Sequence, residues 1–158
     1  MTKYNITPRK EGEPKYRGLI KPELMKELRD RLYEVIVVQQ KYRDEKYSAK
    51  QLAEDLGTNT RYISAVVNVC YKMNYTSFVN QFRVEEAKAL LANPQYKELN
   101  IEDISRMVGY ANRQSFYASF FKLTGITPKE YKKNALEEKA AISSGQGEET
   151  KCAKETDS

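Results

Sequence analysis

Histidine is absent from the 158 residues, and cysteine occurs only twice, at Cys70 and Cys152. The missing imidazole excludes a Ser-His-Asp triad, a Cys-His pair and every zinc site that needs a histidine ligand. No catalytic residue, metal ligand set or cofactor is therefore predicted. The two cysteines stand far apart and match no metal spacing; unpaired, they suit a reducing cytoplasm better than a disulfide-built secreted domain. Long apolar runs are missing too. The longest, such as Val35 to Val38, are far short of the roughly 20 residues of a membrane span. The polar start Met1-Thr2-Lys3-Tyr4-Asn5 has no signal-peptide core. These absences predict a cytoplasmic protein with no membrane partner.

What the chain does have is an uneven charge. The net value of +5 divides into +8 over residues 1–136 and −3 over residues 137–158. A basic body suits a polyanionic partner. Residues 1–21, with Pro8, Gly12, Pro14 and Gly18 among scattered Lys and Arg, read as a flexible basic lead. Residues 137–158 read as an acidic tail, disordered from Ser143 onward. The folded domain is expected within residues 22–136.

There the apolar periodicity is helical throughout, which predicts an all-α fold. Leu24, Leu28, Leu32 and Ile36 form one stripe of a helix that Pro22 can open. Ser48 caps a short helix carrying Leu52, Ala53 and Leu56, stopped by Gly57. Asn59 or Thr60 caps the next, with Ile63, Val66 and Val67 inward. A longer helix is predicted from Thr76 to Leu91, ending before Pro94. Asn100 with Asp103 three residues on opens a helix through Val108 to Gly109. Asn112 caps another, with Phe116 and Phe120 inward, and Pro128 begins the last, through Tyr131.

Set side by side, these helices form an internal repeat. Leu52-Ala53-Glu54-Asp55-Leu56-Gly57 aligns with Ile104-Ser105-Arg106-Met107-Val108-Gly109. With one residue added after Gly109, Ile63 and Val67 match Phe116 and Phe120, and Phe78 matches Tyr131. Each copy is a short helix, a glycine turn and a second helix. That is the helix-turn-helix pattern, in which the second helix enters a DNA major groove. Two copies predict a bipartite reader of double-stranded DNA.

The downstream copy also carries Ile104-Ser105, Gly109-Tyr110, Phe116 through Lys122, and Gly125-Ile126-Thr127-Pro128-Lys129-Glu130-Tyr131. In these residues the chain resembles the AraC/XylS-type transcription regulators of bacteria, over about residues 45–133. The upstream copy and Phe82 to Leu91 look like that family's first unit and linker helix. The resemblance implies a seven-helix domain of two helix-turn-helix subdomains, in which the linker helix sets both recognition helices on one side of the duplex. It also implies sequence-specific DNA binding in transcription regulation, with RNA polymerase or another regulatory protein as a further partner. Ser105 and Lys72 depart from the family's alanine and glycine; a left-handed Lys72 would cost about 1 kcal/mol or more.

Helical geometry assigns the interface. In the upstream unit Arg61, Ser64, Ala65 and Asn68 are expected outward. In the downstream unit Arg113, Gln114, Tyr117 and Ala118 are. The planar fork of Arg61 matches guanine O6 and N7, and Gln114 suits adenine, whereas Ala65 and Ala118 can offer only a methyl contact. Ser48, Thr60, Asn112, Lys122 and Lys129, at helix starts or outward turns, are expected to position phosphates. The 44 residues before Glu45 supply one helix and a lead, from which no small-molecule effector pocket is expected. The chain is then a stand-alone regulator or the DNA-binding end of a larger assembly. Two other readings stay open: a protein-interaction module whose basic face meets an acidic partner, and a repair protein that accepts a methyl group on cysteine.

Overall fold

The structure, a computed structural model, describes the backbone of residues 20–155 and the side chains of residues 20–143. Seven α-helices and no strand occur among the described residues: α1 Pro22–Tyr33, α2 Ala49–Asp55, α3 Thr60–Tyr71, α4 Tyr75–Ala92, α5 Ile101–Met107, α6 Arg113–Thr124 and α7 Pro128–Glu155. Most of the expected lead lies outside the described residues. Its end does not behave as a lead, because Ile20 is buried in the core.

Local chemistry explains the helix starts. A helix leaves its first N–H groups unpaired, and a side-chain oxygen just before it can accept from one of them. Ser48 does so for α2 through the Gln51 N–H at 3.2 Å, and Asn59 for α3 through Tyr62 at 3.0 Å. Asn74 caps α4 and Asn112 caps α6, each at 2.8 Å. Asn100 and Asp103 form a reciprocal capping box on α5. The cap before α3 is thus Asn59, with Thr60 the first helical residue, and α4 begins one residue earlier than predicted.

Three expectations fail for physical reasons. Leu24 of the α1 stripe is 37% exposed, while Leu28, Leu32 and Ile36 are buried; the stripe runs off the end of the core. Beyond Tyr33 the helix widens into a π turn, Glu34–Val38, followed by a 3₁₀ turn, Lys41–Arg43. And α7 does not end near Tyr131. Residues 133–141 are mostly Lys, Glu, Ala and Leu, strong helix formers, and the backbone stays helical to Glu155.

The apolar residues gather in two clusters, one per unit. The first holds Leu28, Leu32, Ile36, Leu52, Ile63, Val66, Val67, Phe78 and Val79 among others. The second holds Val84, Ala87, Leu91, Ile104, Val108, Phe116 and Phe120. Helix α4 belongs to both, with the division between Val79 and Val84. Its 18 residues span about 27 Å at about 1.5 Å per residue.

Candidate nucleic-acid interface

Helices α3 and α6 are the second helices of the two units, and they correspond residue for residue: Arg61 to Gln114, Ser64 to Tyr117, Ala65 to Ala118 and Asn68 to Phe121. Arg61 is exposed, with Ser64 and Asn68 half-buried along the same side of α3. Ala65 is not on that surface. It is fully buried because α1, α2 and α4 all pack against α3, and the buried arc extends from Ile63 through Ala65 to Val67. A side chain with no exposed surface cannot meet a base, so Ala65 leaves the interface. Its counterpart Ala118 is exposed, as are Arg113 and Gln114.

Tyr117 is half-buried and engaged. Its ring lies 4.8 Å from the Arg113 guanidinium carbon, and its hydroxyl accepts from Arg113 Nη2 at 3.3 Å. The pair holds Arg113, which is exposed, against the Tyr117 ring. Arg113, Tyr117 and Lys129 line one concavity with Asn100, Ile101 and Glu102. Lys122 is placed apart from them. With Ser119 and Leu123 it faces Met73, Ser77, Asn80 and Gln81 across a cleft between α6 and the α4 end of the first unit.

Ser48, Thr60, Asn112, Lys122 and Lys129 are all exposed. Ser48 and Asn112 already use an oxygen as a helix cap, but the hydroxyl hydrogen and the amide hydrogens remain available to an acceptor. One surface residue escaped the sequence reading. Phe121 is 56% exposed and lies seven residues after Gln114, within about 20° of it around the helix. The signal was available: an aromatic directly after inward Phe120 must point elsewhere.

Both turns contain a glycine with positive φ, Gly57 at 67° and Gly109 at 107°. Lys72 ends α3 at φ 59°, the left-handed conformation that the sequence made costly. Ser105 is buried at 1% exposure, packing where the family has alanine. Burial pushes the Cys70 thiol above its usual range, the reverse of what a thiolate nucleophile requires.

Two helix-turn-helix units sharing one helix define a tandem helix-turn-helix DNA-binding domain. A family model described as a helix-turn-helix domain matches residues 52–134, and the chain belongs to that family, in its AraC type. Similar proteins include the HTH-type transcriptional regulator YtdP of Bacillus subtilis, 32% identical over 82 residues, which are 52% of this chain and 10% of that protein. The melibiose operon regulatory protein of Escherichia coli is 23% identical over 57% of this chain and 29% of its own length. The chain thus spans less than a third of either relative. Among solved structures, the C-terminal domain of the two-component response regulator yesN from Fusobacterium nucleatum is similar at a TM-score of 0.54 and 26% identity, over 70% of this chain and 95% of that one. No helix among the described residues is long and apolar enough to cross a membrane.

Proposed function

We propose that this chain binds double-stranded DNA sequence-specifically in bacterial transcription regulation, with α3 and α6 entering successive major grooves on one face of the duplex. The observation that carries this reading is the pair of exposed, chemically different side chains at equivalent positions of the two second helices, Arg61 and Gln114. The span of α4, with the radii of the units added, approaches one duplex turn of about 34 Å. Arg61 reads guanine and Gln114 adenine, supported by Ser64, Arg113, Tyr117 and Ala118. Ser48, Thr60, Asn112, Lys122 and Lys129 hold phosphates. Phe121 extends the α6 surface with an apolar face that suits a thymine methyl.

Selection of the preferred site from random duplex DNA, followed by footprinting, tests this directly. The expected site is bipartite and non-palindromic, with two contacted segments about 10 base pairs apart. Binding should weaken with salt at a slope of about −0.9 in log K per phosphate neutralised. A slope near zero and an unenriched pool would overturn the reading in favour of an acidic protein partner.

A further inference from the structure

The family match begins at Leu52, yet the turn at residues 41–44, upstream of it, touches both units. Tyr42 is buried in the first cluster and stacks on Phe82 with ring centroids 6.2 Å apart. Its carbonyl oxygen accepts from Arg83 Nε at 2.6 Å, and the Asp44 carbonyl accepts from Arg83 Nη2 at 3.4 Å. The next residue, Arg43, forks onto the Glu86 carboxylate, with Nε to Oε2 at 3.0 Å. These contacts fall on Phe82, Arg83 and Glu86, around the point where α4 passes from one cluster to the other.

The same turn reaches the second unit. The Arg83 guanidinium carbon lies 5.3 Å from the ring of Tyr110, which is buried in the second cluster. A Cβ added at Gly109 would run into the Tyr42 carbonyl oxygen and lie 2.8 Å from the Arg43 carbonyl. The equivalent glycine of the first unit, Gly57, has nothing within 4 Å of an added Cβ. The close approach is therefore a property of this contact and not of the turn motif. Burial holds the Arg83 guanidinium below its usual pKa range, and the two carbonyls and the ring face offset that cost.

A single helix fixes relative orientation only as well as its own axis stays straight, and long helices commonly curve. A second connection set off the helix axis removes that freedom. We infer that the 41–44 turn is a strut, locked by Arg83, that fixes the orientation of α6 relative to α3. Arg83 is then a positioning residue for the spacing and phase of a two-segment DNA site. The consequence for DNA rests on the proposed function, whereas the strut itself does not.

Two measurements on the full chain separate them. Amide residual dipolar couplings from α2 and α3 and from α5 and α6 should fit one alignment tensor in the wild type and two different tensors in Arg83→Ala. On selected DNA, shifting the two segments by one base pair should weaken wild-type binding about tenfold, a cost of about 1.4 kcal/mol, and Arg83→Ala by about threefold or less. A single tensor in Arg83→Ala overturns the strut whatever happens on DNA. Two tensors with an unchanged spacing penalty overturn the role of Arg83 in spacing. A wild type with no two-segment site overturns the DNA reading, and the couplings alone then decide the strut. Should Arg83→Ala fail to fold, Arg83→Met takes its place, because it keeps a stem of similar volume but cannot donate to the Tyr42 and Asp44 carbonyls; a single tensor there overturns the strut.

Discussion

Alanine substitution at the two turn glycines separates what a helix-turn-helix turn requires from what the strut requires. At Gly57 the added methyl meets nothing within 4 Å. The cost is only that of a left-handed backbone for an L-residue, about 1–2 kcal/mol. At Gly109 the backbone term is at least as large, since φ is 107°, and the methyl is driven into the carbonyls of Tyr42 and Arg43. Backbone atoms cannot swing aside as a side chain can, so overpacking adds about 1–3 kcal/mol. The totals are about 1–2 against about 2–5 kcal/mol. At about 4 °C per kcal/mol for a domain of this size, Gly57→Ala should lower Tm by about 4–8 °C and Gly109→Ala by about 8–20 °C. Thermal scans by far-ultraviolet circular dichroism, run under identical conditions, provide the comparison. Equal losses, or a larger loss at Gly57, would refute the reasoning. A stricter check is the double variant with Arg83→Ala. If both changes break one strut, the combined loss falls short of the sum by more than about 0.5 kcal/mol, the scatter of independent sites.

Three further outcomes are expected. Arg61→Ala and Gln114→Ala should each cost about 1–3 kcal/mol on the selected site and relax one base position, whereas Lys122→Ala should weaken all sequences alike; competition titrations giving equal losses on random DNA would reverse those roles. Deleting residues 143–158 should leave Tm unchanged and should not weaken DNA binding, because the segment is net acidic; a large drop in Tm would show that the end of α7 is docked. Burial pushes the Tyr75 hydroxyl up to about 12, so the folded chain keeps a proton that the unfolded chain gives up near pH 10. The associated stability is present below about pH 10 and is lost as pH rises toward 12. Urea midpoints for Tyr75→Phe should fall less steeply across that window, and an unchanged slope would refute the assignment.

The parts of the fold that were legible in sequence are those decided by local chemistry. Ser48, Asn59, Asn100 and Asn112 each accept from an N–H three residues on, so their roles depend on a few adjacent residues. The inward faces of α3 and α6 followed from residues large enough to demand burial, such as Ile63, Phe116 and Phe120. Ala65 was misread because a methyl group states no preference, and its burial depends on three neighbouring helices. The strut was illegible for a related reason: Arg43 meets Glu86 and Arg83 meets the Tyr42 carbonyl across about forty residues of chain, and neither pair leaves a periodic trace. The continuation of α7 was hidden by composition. Few apolar residues suggested that nothing there could be buried, but helix propensity and burial are separate matters.

The loss of Ala65 from the interface bears on how such a protein achieves specificity. On the proposed reading α3 keeps Arg61 and Ser64 as base readers, and a good bidentate contact discriminates by about 1–3 kcal/mol. One such contact on each of α3 and α6 yields about 2–6 kcal/mol, while specific binding over nonspecific commonly needs about 4–10. Neither unit reaches that range by itself. When the two are held rigidly, the second docks without paying the association entropy again, and a site of the wrong spacing obtains only one unit's contacts or must distort the duplex. Spacing thus becomes a third source of discrimination beside the two sets of base contacts. It exists only to the extent that α4 cannot bend. On this argument the residues that carry specificity are not confined to those that touch DNA: Arg83, whose Nε and Nη2 donate to the Tyr42 and Asp44 carbonyls, contributes by making one segment's position dictate the other's.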